Sequence, residues 1–150
     1  MIIESVFEYQ QPIPSKYTCS GENISPPLKF LQIPQHAQSL VLIVDDPDAP
    51  HGVFDHWIIW NISPHVTQLS EGAPELKRLS PHPIEAKNGF GKKGYGGPCP
   101  PPGKPHRYFF KLYALDVPLA LSEASSKKDV EQAMKGHVIE QAELMGTYQR

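Results

Sequence analysis

Two prolines, Pro47 and Pro50, break the chain between two apolar runs, and this break limits the fold more than any other feature of the sequence. The run Leu40–Val44 delivers three acids, Asp45, Asp46 and Asp48, to its end, and a second run, Trp57–Ile62, starts directly behind His56. Proline fixes its own φ and pushes the residue before it toward extended backbone. Asp46 and Ala49 are therefore expected to be extended, with the carboxylates held in place. The stretch reads as strand, stiff acidic corner, strand. The chain has 17 prolines and 11 glycines, which argues against an all-helical fold and for strands joined by stiff loops. At 150 residues it reads as a single domain over 1–150, long enough to bury a real core.

The same reading extends along the chain. Residues 2–9 are rich in β-branched and aromatic side chains and predict a first strand; Leu28–Phe30 predicts a short one. Leu40–Val44 is almost wholly apolar, as expected of a central strand buried on both faces. In Trp57–Ile62, strict alternation sets His56, Ile58 and Trp60 on one face and Trp57, Ile59 and Asn61 on the other. Residues 63–106 form a long irregular segment, dense in Gly and Pro from Gly89 to Pro105, of the kind that carries function. Arg107–Leu115 alternates clearly and predicts a strand. Near the C-terminus the period changes. Ser126 and Asp129 fit a capping box, and Val130, Ala133, Met134, Val138, Ala142 and Met145 make an apolar stripe at helical spacing. Gly136 would interrupt that helix and Gly146 would end it.

Several classes are excluded or disfavoured. The net charge is −2, from 14 basic and 16 acidic residues, which leaves no footprint for nucleic acid or an acidic membrane surface. No secretory signal and no apolar run of membrane-spanning length is visible, so a cytoplasmic location is expected. In that setting Cys19 and Cys99 are expected to be free thiols. Gly91-Lys92-Lys93-Gly94 lacks the ending of a phosphate loop, and prolines follow where its helix would start. No Gly-x-Ser-x-Gly, His-Glu-x-x-His or Cys-x-x-Cys motif is present.

The candidate chemistry rests on Asp46, Asp48, His56, His106 and Tyr108, with the loop Gly94–Pro102 lying between the two histidines. His106 and Tyr108 are two apart on a strand and share a face. Three readings follow. An anion pocket would use imidazole, phenol and the backbone N–H groups around Gly96-Gly97, with Asp46 orienting a histidine. A metal site of Asp and two His suits zinc or iron, but the spacing matches no ligand motif. A His–Asp pair could act as general acid and base. The plainer alternatives are that Asp48 only caps the Pro47–Pro50 turn, that His106 is a satisfied rim histidine, and that Tyr108 is core. His51, His65, His82 and His137 read as surface or structural.

The blocks Asp46-Pro47-Asp48-Ala49-Pro50, His56-Trp57, Gly94-Tyr95-Gly96-Gly97-Pro98 and His106-Arg107-Tyr108 come in this order. With Tyr17–Leu28 at the front and Ala142–Tyr148 at the end, they resemble the phosphatidylethanolamine-binding protein family over nearly the whole chain, and more narrowly its bacterial, Raf-kinase-inhibitor-like branch. The resemblance implies a mainly β protein, an antiparallel β-sandwich with a few peripheral helices, one of them C-terminal. It places Asp46, His56, His106 and Tyr108 in a ligand-binding pocket, with Pro50, Gly97 and Pro98 on the rim. It implies a non-enzymatic protein without metal or cofactor. The expected ligand is a small anion, phosphate, a phosphoethanolamine-type head group or a carboxylate. A regulatory role and a homodimer are also implied. The short Pro50–His56 connection and the C-terminus depart from the eukaryotic members that regulate kinases.

Overall fold

The computed structural model describes residues 1–150. Eight strands form two antiparallel sheets. The larger sheet has the order β6 (Ile84–Glu85), β4 (Phe54–Ile62), β3 (Ser39–Asp46), β7 (His106–Leu115), β8 (Val138–Tyr148). The smaller joins β1 (Ile2–Glu4), β2 (Leu28–Leu31) and β5 (Gln68–Leu69). One α-helix, α1 (Lys127–Met134), packs on the outer face of the large sheet.

All eight residues of β3 are buried, because both of its faces are covered. Leu40, Leu42 and Val44 point inward and pack against Leu28, Phe30 and Leu69 of the small sheet. Val41 and Ile43 point the other way and pack with Ile58 and Trp60 of β4 and with Val130 and Met134 of α1. Each such side chain contributes about 1.5–3 kcal/mol when removed from water. Asp45 follows the outward register. Its carboxylate takes Lys111 Nζ at 3.2 Å and Lys127 Nζ at 2.9 Å, and Lys127 also reaches Asp55 at 3.0 Å. The helix is thus tied by charge as well as by packing. Ser126 caps it as expected: its hydroxyl accepts from Asp129 N–H, and the Asp129 carboxylate accepts from Ser126 N–H.

The structure corrects three expectations. The first strand stops at Glu4, after which Ser5 turns its hydroxyl to the Pro27 carbonyl and Phe7 enters the core. The C-terminal helix stops at Met134, and Gly136 at φ +79° turns the chain back. Residues 138–148 then form β8, paired along β7 from Leu115↔Val138 to His106↔Tyr148. Leu144, Met145 and Gly146 are consecutively buried because segment 10–13 closes over the edge of β8 through Gln10, Ile13 and Thr147 N–H bonds. That contact erases the alternation a strand would otherwise show. Finally, Cys19 and Cys99 are joined in a disulfide, their Cα atoms 5.4 Å apart. The loop 17–23 lies against the loop 95–99: Tyr95 Oη donates to the Tyr17 carbonyl, Gly97 N–H to Asn23 Oδ1, and Cys19 N–H to the Pro98 carbonyl. No helix is long and apolar enough to cross a membrane.

Candidate functional site

The C-terminal end of β3 and the N-terminal ends of its neighbours β4 and β7 meet at one end of the large sheet's central strands. β3 pairs with β4 through Val44↔Trp57 and then Asp45↔Asp55, so His56 is an extra residue without a partner across the ladder. This bulge breaks the alternation expected for the strand. His56 leaves the face of Ile58 and Trp60 and turns inward, edge-on to Tyr108 with ring centroids 5.2 Å apart. Gly96 fixes the ring. His56 Nδ1–H donates to the Gly96 carbonyl at 2.6 Å, and Gly96 N–H donates to the His56 carbonyl at 2.9 Å.

Asp46 ends β3, its carboxylate almost wholly buried. Its Oδ2 accepts from His106 Nδ1 at 2.7 Å and its Oδ1 from Asp48 N–H at 2.7 Å. Asp48 itself turns away. Its carboxylate accepts from Arg107 Nε, Nη2 and backbone N–H at 2.8–3.0 Å, which pins the acidic corner to the start of β7. Of the three acids at the strand end only Asp46 enters the site, since Asp45 serves the α1 face. His106 and Tyr108 stack two residues apart on β7, with centroids 6.5 Å apart. The Tyr108 hydroxyl is buried and has no hydrogen-bond partner.

Together these groups floor a cavity of about 290 Å³. Pro50, Val53, Phe54, Phe90, Pro100 and Pro101 also line it, with the Phe54 and Phe90 rings in edge-on contact at 4.8 Å between centroids. Val53 is 57% exposed and Phe90 48%, so the entrance is apolar above a polar floor. Two rim residues of the sequence reading lie elsewhere. Gly97 and Pro98 are not on the lining; they hold the wall from behind through Asn23 and Cys19. Sequence reasoning missed His51, Phe54, Phe90 and Cys99, all of which line the cavity. Only Cys99 had a local signal, its place within the proline run. Phe90 follows an Asn88-Gly89 turn that says nothing of its neighbours.

The electrostatics follow from burial. Desolvation pushes the His56 pKa below its ordinary value, outweighing the Gly96 carbonyl and the nearby acids. Burial, then the charge of Asp46, pushes the Tyr108 phenol far above its ordinary value, so the hydroxyl keeps its proton. The Arg107 guanidinium holds the Asp48 carboxyl below the usual carboxylate range. No lysine or arginine lines the cavity, and no three His, Cys, Asp or Glu side chains are grouped to hold a metal ion.

A sequence model of the phosphatidylethanolamine-binding protein family matches residues 3–149. The chain belongs to this family. A UPF0098 protein of Pyrococcus horikoshii is 51% identical over 151 residues, covering 99% of this chain and 76% of that one. A UPF0098 protein of Methanothermobacter thermautotrophicus is 54% identical over 138 residues, covering 92% and 91%. Among solved structures, the phosphatidylethanolamine-binding protein homologue CT736 of Chlamydia trachomatis superimposes with a TM-score of 0.91 at 46% identity, over 99% of this chain and 97% of that one. YbcL of E. coli, described as a member of the mammalian family, superimposes with a TM-score of 0.87 at 30% identity over the same shares. The family fold is thus the mainly antiparallel β architecture described above. The relatives include archaeal as well as bacterial proteins, so the similarity is wider than the bacterial branch expected from the motifs.

Proposed function

We propose that the chain is a non-catalytic binding protein for a small acid, a phosphate, a phosphoethanolamine-type head group or a carboxylate, with a regulatory role exerted through that ligand. The observation that carries this reading is the Tyr108 hydroxyl. A buried O–H without a partner is unfavourable. Here it lies beside a cavity and next to two imidazoles. An acceptor oxygen of a bound ligand would satisfy it. Family membership supports ligand binding in general. The test is titration with phosphate and phosphoethanolamine, followed by histidine NMR. Saturable shifts at His56 and His106, lost in His56→Ala and His106→Ala variants that stay folded, support the assignment. Unchanged affinity in both variants removes it.

The 2.7 Å contact between His106 and Asp46 favours a second reading, a hydrolase or isomerase with this pair as general acid and base. That reading requires turnover with a histidine-type pH profile; a broad substrate screen without turnover counts against it. The cytoplasmic location is a further proposal. Disulfides persist mainly in oxidising compartments. The Cys19–Cys99 disulfide counts against that location, so thiol trapping in intact cells tests it: both cysteines trapped as thiols support it, and both found oxidised overturn it.

A further inference from the structure

The floor of the cavity is short of positive charge and rich in acceptors. None of its lining residues is a lysine or arginine. The two oxygens of Asp46 each accept one internal hydrogen bond, and each keeps a further lone pair. His56 spends its Nδ1 proton on a carbonyl, which can only accept, so Nε2 is left as an acceptor. Burial favours this neutral ring. The titratable groups around it are Asp46 from β3, His106 and Tyr108 from β7 and His51 in the lining, with Asp45 and Asp55 near; outside the lining, Arg107 acts on Asp46 and Arg150 on Tyr108. Tyr108 supplies one donor, buried and within the influence of the Asp46 carboxylate, and His106, whose Nδ1 is held by Asp46, adds a second at Nε2 when its ring is protonated.

An occupant matched to this floor must donate to Asp46 or His56 Nε2 as well as accept from the floor's donors. It must therefore carry a proton of its own. A phosphate monoester does so near neutral pH, because its second ionisation lies at about 6. A sulfate ester or a phosphodiester is already stripped of its acidic proton and offers acceptors alone.

Resting on the small-acid reading above, we propose that the pocket selects oxyacids that retain an ionisable proton, phosphate monoesters and hydrogen phosphate, over proton-free oxyanions of the same size. The phosphodiester head group of a membrane lipid is then a poorer occupant than a free phosphate monoester.

The experiment is calorimetric titration of the wild-type chain with methyl phosphate, methyl sulfate and dimethyl phosphate, plus glycerophosphoethanolamine as a soluble lipid head group. It is run at about pH 5.5 and about pH 8, either side of the ester's second ionisation. At the lower pH methyl phosphate binds about tenfold or more tighter than methyl sulfate and either diester, a difference of one charge-assisted hydrogen bond. The preference shrinks at the higher pH, where the ligand has lost its proton. Asp46→Asn, which turns an acceptor into a donor, moves the phosphate-to-sulfate ratio toward one. Equal affinity for methyl phosphate and methyl sulfate, or a parallel strengthening of all four ligands at low pH, overturns the proposal and leaves the small-acid reading standing. Absence of binding by any of them, and by inorganic phosphate, overturns both.

Discussion

His56 and Gly96 exchange two hydrogen bonds, ring to carbonyl at 2.6 Å and amide to carbonyl at 2.9 Å. A side chain of one strand is thereby bonded to the main chain of a loop 40 residues away. The contact also sets the imidazole tautomer, because a carbonyl can only accept. Gly96 can come this close because it has no Cβ. A methyl group there would lie 2.4 Å from the Phe90 ring, which forms part of the cavity mouth.

Gly96→Ala is therefore expected to push Phe90 from the mouth and to loosen the His56 ring. Overpacking of this kind destabilises by about 1–3 kcal/mol. Phosphate affinity should fall about tenfold. Thermal melts and calorimetry check both, and a variant with unchanged melting and affinity would mean that Phe90 moves aside freely.

Asp48 acts one step from the cavity. Its carboxylate grips Arg107 and its amide supports Asp46, so Asp48→Asn should weaken the corner while leaving Asp46 chemically intact. Its folded-state pKa is lowered, by the Arg107 hydrogen bond above all. Such a group contributes stability that is fully present above the unfolded carboxylate value of about 3.9 and is lost as pH falls through the lower folded value. The wild type should thus melt above the Asp48→Asn variant at pH 6–7, and the gap should close as the solution is acidified below the ordinary carboxylate range. A gap independent of pH would mean that the clamp does not depend on ionisation.

Much of the large sheet was legible in the sequence, since Leu40–Val44 and Arg107–Leu115 carry patterns that burial alone produces. His56 shows why the site was less so. Strict alternation put it with Ile58 and Trp60, and only the bulge, a tertiary adjustment to β3, turns it toward Tyr108. The same holds for β8, whose partners in segment 10–13 are remote in sequence and hide its period. The sequence singled out Asp46 to orient a histidine and left Asp48 between pocket and turn cap; the Arg107 contact takes Asp48 out of the cavity, and the pleat turns Asp45 to the α1 face. Gly97 and Pro98 have the glycine and proline character of a rim, yet they face the 17–23 loop.

The Cys19–Cys99 bond closes a loop with a sequence separation of 80. Chain-entropy reasoning gives such a crosslink about 4–5 kcal/mol of stabilisation through the unfolded state. Cys99→Ser, or reduction by a dithiol, should lower the melting temperature by roughly 10 °C in a chain of this size. Scanning calorimetry with and without reductant checks this. The Tyr17, Asn23 and Pro98 contacts should keep the loops docked at lower temperature, so the reduced protein should retain its folded spectrum.

His56 gives a prediction of opposite origin to that of Asp48 but the same sign. Burial lowers its folded pKa below the unfolded value of about 6.5. The folded state binds this proton less readily than the unfolded chain does. The contribution is therefore neutral above about pH 6.5 and turns into a loss of stability as pH falls toward the folded value. His56→Gln keeps a polar side chain that can donate to Gly96 and does not titrate. Between pH 7.5 and pH 5 the wild type should lose more stability than this variant, and NMR should place the His56 midpoint below that of a free histidine. A midpoint at or above the free value would mean that Asp46, Asp45 and Asp55 outweigh desolvation. With a midpoint above neutral pH the buried ring would be a cation there, with a donor at Nε2 in place of the acceptor on which the selectivity for protonated oxyacids depends.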